Sequence, residues 1–195
     1  VELSSVLLKR VLEENNLQTS DLGAVAYSQG PGMGACLRTG AAAARAISTH
    51  LEIPMIGVNH CVAHIEIGRE QCGCDDPILL YVSGGNTQVI ARLDGRYRVL
   101  GETLDIGIGN MLDKFARNHG IPFPGGPVIE KKALEWLSQN PEPSLQGLEL
   151  PYAVHGMDLA FSGLMSSANK LVSQGKPFEA VCWSLQEHAF AACIE

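Results

Sequence analysis

Two short apolar runs, each leading into a helical segment, constrain this chain more than any other feature. Ala24-Val25-Ala26-Tyr27-Ser28 reads as a buried strand feeding the glycine-rich turn Gln29-Gly30-Pro31-Gly32-Met33-Gly34, and the alanine-rich stretch from Ala35 to His50 then reads as a helix. Pro54-Met55-Ile56-Gly57-Val58 reads as a second buried strand. Asn59 after it is of a helix-capping type, and the helix it opens carries His60 and His64. Strand, helix, strand, helix in this order predicts a parallel sheet covered by helices. Upstream, Leu3, Val6, Leu7, Val11 and Leu12 recur at helical intervals between Val1 and Asn16. No cap residue and no initiator methionine precede them, so the chain is expected to start inside a helix and to be a fragment of a longer protein.

Around Gln71 to Pro77 the texture turns polar, and a different pattern follows. Ile78 to Ser83, Gln88 to Leu93 and Arg96 to Leu100 read as three strands, the last two joined by an Asp94-Gly95 turn of the type I′ hairpin kind. A domain boundary is expected here, with one domain over 1–73 and a second over 78–195. Helices are expected from about Gly109 to Asn118 and from Val128 to Leu137, separated by the loop Ile121 to Pro127. Ser138 to Gly147 reads as a surface excursion before helices over Ser162 to Val172 and Pro177 to Ile194.

The 195 residues are 46% apolar and 18% charged, enough for a core and too little charge for disorder. No run approaches the ~18–20 apolar residues of a membrane span, and the first residues lack a signal-peptide layout, so a cytoplasmic chain with no membrane partner is expected. The net charge of −7 has the wrong sign for gripping nucleic acid unaided. Arg92, Arg96 and Arg98 are a local basic cluster, read as a solvated strand face. Among the cysteines, Cys72-Gly73-Cys74 invites a metal or redox reading, while Cys36, Cys61, Cys182 and Cys193 read as small reduced core hydrophobes. Trp136 and Trp183 sit among aliphatics at helical spacing and read as core.

His60 and His64 stand at i and i+4, a spacing that puts two imidazoles on one helix face within reach of one metal ion. Placement after a buried strand favours this, because ligands in open α/β sheets gather at strand carboxyl ends. The residues between them are Cys61, Val62 and Ala63, so no zinc-protease motif is matched, and Glu66 lies outside the pair. A second constellation, Tyr81-Val82-Ser83-Gly84-Gly85-Asn86-Thr87-Gln88, places glycines between strands, where backbone N–H groups can approach an anion unless the turn is an ordinary hairpin. A third, Gly107 to Phe115 with Gly125 to Glu130, offers Asp113 and Glu130 near helix starts, suited either to ribose hydroxyls or to the helix dipole. No Ser-His-Asp or Cys-His pattern supplies a protein nucleophile.

Ser28 to Gly32, Gly57 to Arg69, Tyr81 to Gln88 and Gly101 to Asp105 resemble the universal tRNA threonylcarbamoyladenosine synthase family. Asn86-Thr87-Gln88 and Ile65 to Arg69 are similar to its archaeal and eukaryotic branch, the catalytic subunit of the KEOPS complex. The resemblance implies an α/β chain of the actin-like, sugar-kinase and heat-shock-chaperone ATPase fold, with two ribonuclease H-like halves, here truncated at both ends. It implies transfer of a threonylcarbamoyl group from threonylcarbamoyl-AMP to the N6 amine of the adenosine 3′ of the anticodon. By the same resemblance His60, His64 and Tyr81 are ligands of one divalent metal ion, iron or zinc, with a further Asp expected beyond residue 195. Tyr81, Val82, Ser83, Gly84 and Gly85 form the phosphate and acyl loop, and Asp113, Gly126 and Glu130 take the ribose and adenine end of the adenylate or of ATP. The implied partners are tRNA and KEOPS-type subunits that include a small protein kinase/ATPase. Two other readings stay open, an actin-fold ATPase or kinase-like protein without tRNA chemistry and a non-catalytic scaffold.

Overall fold

The computed structural model describes residues 2–195, with side chains from Ser4 onward; Val1 and the Leu3 side chain lie outside the described residues. Two compact units divide between Asp75 and Asp76, within the polar stretch.

In the first unit, helix α1 (Glu2–Glu14) precedes strand β1 (Val25–Gly30), helix α2 (Gly34–Leu51), strand β2 (Met55–Asn59) and helix α3 (His60–Cys72). β1 and β2 pair in parallel, Val25 opposite Met55 through Ser28 opposite Val58. The parallel, helix-connected pair is the arrangement the alternation predicts. The strands are not buried on both faces, as their continuous apolar runs suggested. Burial alternates along β1, and Ile56 in β2 is 50% exposed. A two-stranded sheet has only edge strands, and α2 and α3 leave part of its surface open. Similarly, α1 is helical as its periodicity requires, but among the described side chains of its apolar stripe only Leu12 is buried, while Val6, Leu7 and Val11 are exposed. Cys36 is exposed rather than in a core, and Cys61 is half-buried.

The second unit opens with an antiparallel sheet of β3 (Leu79–Val82), β4 (Thr87–Leu93) and β5 (Arg96–Glu102), in that order. Asp94 and Gly95, at φ 52° and 74°, form the turn between β4 and β5, both in the left-handed region a type I′ hairpin needs. Helices α4 (Ile108–Asn118) and α5 (Gly126–Gln139) follow, then a small hairpin, β6 (Val154–His155) and β7 (Asp158–Leu159), that the sequence does not announce. Helices α6 (Ser162–Ser173) and α7 (Phe178–Ile194) complete the chain. The helices gather one core around Met111, Phe115, Ile129, Phe161, Leu164 and Leu185, each at most 1% exposed. Trp183 is buried, Trp136 packs half-buried against this core, and Cys182 is fully buried.

Arg92, Arg96 and Arg98 do not share a face. Arg92 stands opposite Tyr97, whereas Arg98 is opposite Ala91 and Arg96 opposite Leu93. Side chains alternate along a strand, so Arg96 and Arg98 lie on one face and Arg92 on the other.

A carboxylate ties the segment after β5 to the start of α6. Asp105, between β5 and α4, accepts the Ile106 N–H at 2.6 Å, the Phe161 and Ser162 N–H groups at 3.0 Å each, and the Ser162 hydroxyl. It therefore caps α6 from a distant part of the chain, satisfying N–H groups that α6 cannot satisfy itself. Burial works to raise the Asp105 pKa, but the bonds from the Ser162 hydroxyl and from the Ser162, Ile106 and Phe161 amides outweigh it and hold the group below its ordinary value.

Asp105→Ala is expected to destabilise the second unit by about 1–3 kcal/mol. Asp105→Asn should lose less, because its amide oxygen still accepts. A carboxyl with a lowered folded pKa gives stability that is complete above its unfolded pKa of about 3.9 and lost as pH falls through the folded value. Urea unfolding between about pH 5 and pH 2 should thus show a steeper loss for wild type than for Asp105→Asn. Parallel curves would contradict this role.

Candidate functional site

Asn59 fixes the start of α3. Its side-chain oxygen accepts the Cys61 N–H at 3.0 Å and the Val62 N–H at 3.2 Å, so the helix begins at His60, directly after β2. The preceding strand and this cap together put His60, half-buried, and His64, exposed, on one side of the first turns. Their ring centres are 4.6 Å apart with planes at 85°. Beside them a cleft of about 230 Å3, lined by Ala26, Tyr27, Ser28, Val58, His60 and Ala63, opens at the carboxyl ends of β1 and β2. Two adjacent imidazoles at a strand end, where open α/β sheets collect ligands, are donors of the kind that divalent transition metals take. Among the described residues no group of three His, Cys, Asp or Glu side chains assembles around such an ion. Glu66 is ion-paired with Arg69 at 3.0 Å, in agreement with its place outside the pair.

The remaining candidate residues belong to the second unit. Tyr81 is 7% exposed on β3, in register with Gln88, and Val82 is 51% exposed. The Ser83–Asn86 turn is closed by the Ser83 N–H on the Asn86 carbonyl at 2.8 Å and by the Ser83 hydroxyl, which lies 3.0 Å from the Asn86 N–H. That hydroxyl is spent on the turn itself. Two of the turn's carbonyls are spent on α4: Ser83 O accepts the Gly109 N–H at 3.2 Å, and Gly84 O accepts the Asn110 N–H at 3.0 Å. Fully buried Thr87 accepts the Ile108 N–H at 3.0 Å. The first N–H groups of α4 are therefore covered by the β3–β4 turn. Among the described residues, the Gly84 and Gly85 N–H groups, both exposed, go to no backbone carbonyl, and the Asn86 N–H goes to the Ser83 hydroxyl.

Close approach explains the glycines of α4's first turn. A Cβ on Gly107 would lie 2.6 Å from the Gly84 carbonyl oxygen, and one on Gly109 would lie 2.9 Å from the Gly84 Cα.

Asp113 is not in a helix's first turn, as its spacing from the glycines suggested. It lies in the second turn of α4 and reaches across to α5, where its Oδ1 accepts the Gly125 N–H at 2.7 Å and the Gly126 N–H at 3.4 Å. Its partnership with a helix dipole is real, but the helix is α5. Gly126, expected in a loop, is the first residue of that helix, with Pro127 beside it in the position that suits proline. Glu130 is four residues beyond Gly126 and exposed, so it shares Gly126's face. Gly109 and Asp113 are likewise four apart on α4, a rise of about 6 Å. One face of α4 thus runs from the Ser83–Gly85 turn to the group of Asp113, Gly126 and Glu130.

Thr87 and Asn110 are the participants the sequence does not single out. Thr87 lies inside the Asn86-Thr87-Gln88 motif, but only its burial shows that its hydroxyl holds the start of α4. A Cβ built on Gly84 would meet the Asn110 Oδ1 at 3.3 Å, so this side chain stands over the glycine turn.

The family model for TsaD, tRNA N6-adenosine threonylcarbamoyltransferase, matches residues 1–195. The chain is 55% identical over 188 residues, 96% of its length, to a probable bifunctional tRNA threonylcarbamoyladenosine biosynthesis protein of Methanoculleus marisnigri, and covers 33% of that protein. It is 53% identical over 194 residues, 97% of its length, to a tRNA N6-adenosine threonylcarbamoyltransferase of Methanopyrus kandleri, and covers 54% of it. The chain thus spans between a third and about half the length of these relatives. A solved protein of Pseudomonas aeruginosa similar to peptidase YeaZ overlaps 49% of this chain and 46% of its own at 17% identity, with a TM-score of 0.37, too slight a likeness to carry an argument.

Gly109→Ala should force the glycine turn away from α4 and destabilise the second unit by about 1–3 kcal/mol, the range for inserting atoms into a packed contact. Urea unfolding measures the loss. An unchanged midpoint would mean that the turn moves without cost.

Proposed function

We propose, since the chain belongs to the tRNA N6-adenosine threonylcarbamoyltransferase family, that it supplies most of the reaction centre of such an enzyme. The reaction is transfer of the threonylcarbamoyl group from threonylcarbamoyl-AMP to the N6 amine of the adenosine 3′ of the anticodon, with AMP leaving. The observation that carries this reading is the adjacency of His60 and His64 at the end of β2.

His60 and His64 would hold a divalent ion. Imidazole donors suit zinc and iron, and such an ion supplies Lewis acidity toward carbonyl and phosphate oxygens. The Gly84 and Gly85 N–H groups donate to phosphate or acyl oxygens, with the Asn110 side chain beside Gly84. Asp113 keeps Oδ1 on the α5 amides and presents Oδ2 to a ribose hydroxyl, with Glu130 one turn further for the nucleoside. This divides Asp113 between fold and ligand, and orients it rigidly for the second task. The attacking group is the substrate's own amine, so the protein's work is positioning and charge stabilisation.

A chain with a net charge of −7 needs help with a polyanion. KEOPS-type partners, including a small kinase/ATPase, would provide basic surface for the tRNA. The bifunctional names of several relatives fit an associated second activity.

In the full-length protein, His60→Ala is expected to lose bound metal by elemental analysis. It should also lower formation of threonylcarbamoyl-adenosine in tRNA by about two orders of magnitude, the scale on which a lost electrostatic stabiliser acts. Wild-type protein that consumes ATP alone and leaves tRNA unmodified when given threonylcarbamoyl-AMP and its partners would replace the reading with an ATPase.

A further inference from the structure

We propose that Cys72 and Cys74 form a reversible intrachain disulfide, a modification site at the end of α3 that responds to low-molecular-weight disulfides of the glutathione class. The two cysteines flank Gly73, the residue at which α3 stops. Gly73 lies in the left-handed region, φ 59° and ψ 31°, and its N–H and that of Cys74 return to the Glu70 and Arg69 carbonyls at 3.4 and 3.1 Å. The turn is thereby set by hydrogen bonds before any sulfur chemistry occurs.

With trans peptides, the separation of the Cα atoms on either side of a residue depends on that residue's φ and ψ alone. The left-handed conformation mirrors the helical one, and mirror images have equal distances. The Cys72 and Cys74 Cα atoms are therefore spaced as i and i+2 of an α-helix, about 5.4 Å from the helix radius and rise. Disulfides span about 4.4–6.8 Å between Cα atoms, most often about 5.5–6 Å. A glycine with open space around it stands between the two side chains. Both thiols are exposed, so a small disulfide can reach either one.

No other cysteine combines these features. Cys182 is fully buried, and desolvation, with the nearby Glu179 charge, pushes its thiol up to about 12. Burial also raises Cys193. Cys36 is exposed but has no cysteine near it in sequence.

The exchange proceeds in two balanced steps. The thiolate of one cysteine attacks a sulfur of oxidised glutathione, whose S–S bond breaks to release one glutathione thiol and leave a mixed disulfide. The second cysteine's thiolate then attacks the protein sulfur of that bond and expels the second glutathione. Two electrons pass from the cysteine pair to oxidised glutathione, and the two thiol protons end on the two glutathione molecules released. A ring this short is more readily reduced than a long-loop disulfide, which is what makes the site reversible.

The test uses the full-length protein in glutathione buffers of increasing oxidised fraction, quenched with an alkylating agent. Mass spectrometry then reads the tryptic peptide from Glu70 to Arg92, which contains only these two cysteines. The expected result is loss of both alkyl labels together, with no glutathione adduct, and recovery of both after dithiothreitol. Cys72→Ser and Cys74→Ser should each leave one cysteine that is alkylated or glutathionylated and never linked. Persistence of both labels in the most oxidising buffer, a wild-type product that stops at the glutathione adduct, or a link between two copies of the chain would each overturn the proposal.

Discussion

Two backbone hydrogen bonds, from Gly109 to Ser83 and from Asn110 to Gly84, join the sheet of the second unit to its helices. A helix leaves its first N–H groups unsatisfied, and a hairpin turn leaves carbonyls unsatisfied; here each supplies the other's need. The buried Thr87 hydroxyl adds a third bond to the same helix start. Because the contact is backbone against backbone, it tolerates no Cβ on α4's side, and the Gly107-Ile108-Gly109 spacing follows from that requirement. The direction of α4 is then set, and with it the line from the glycine turn to Asp113.

Charged and polar caps carry out the same task elsewhere. Asp105 closes α6, Asp113 closes α5 and Asn59 closes α3. The first two reach across the fold rather than along the chain, so each binds two elements with one side chain. A carboxylate in such a place is ionised more readily than usual where its bonds to N–H and O–H groups outweigh burial, as at Asp105. This economy explains why a residue of the candidate site is also structural: Asp113 is held in place by the α5 N–H groups that it accepts.

Electrostatics separates the site from the rest of the surface. The net charge is −7, and strand alternation splits the arginines of the β4–β5 hairpin between two faces, so the hairpin presents no three-arginine patch. Capture of an anionic macromolecule by field alone has little to work with on this chain, whereas local N–H groups and paired imidazoles act at contact distance, where net charge matters less.

By itself the sequence determined the α/β class, the parallel strand–helix alternation of the first unit, the Asp94-Gly95 hairpin and the start of α3 at Asn59. Each of these depends on residues close in sequence: apolar spacing, a turn dipeptide, a cap. The His60 and His64 pair was legible for the same reason, since i and i+4 meet on any helix. Only the tertiary structure decided how far β1 and β2 are buried, what Asp113 bonds and how Thr87 is used. It also revealed the hairpin of β6 and β7, whose two-residue strands are too short for a period to show. Burial of a strand is set by the layers around it, and a capping carboxylate is identified by which distant N–H groups come within reach. Neither quantity is a property of local sequence, because both are created when segments tens of residues apart pack together.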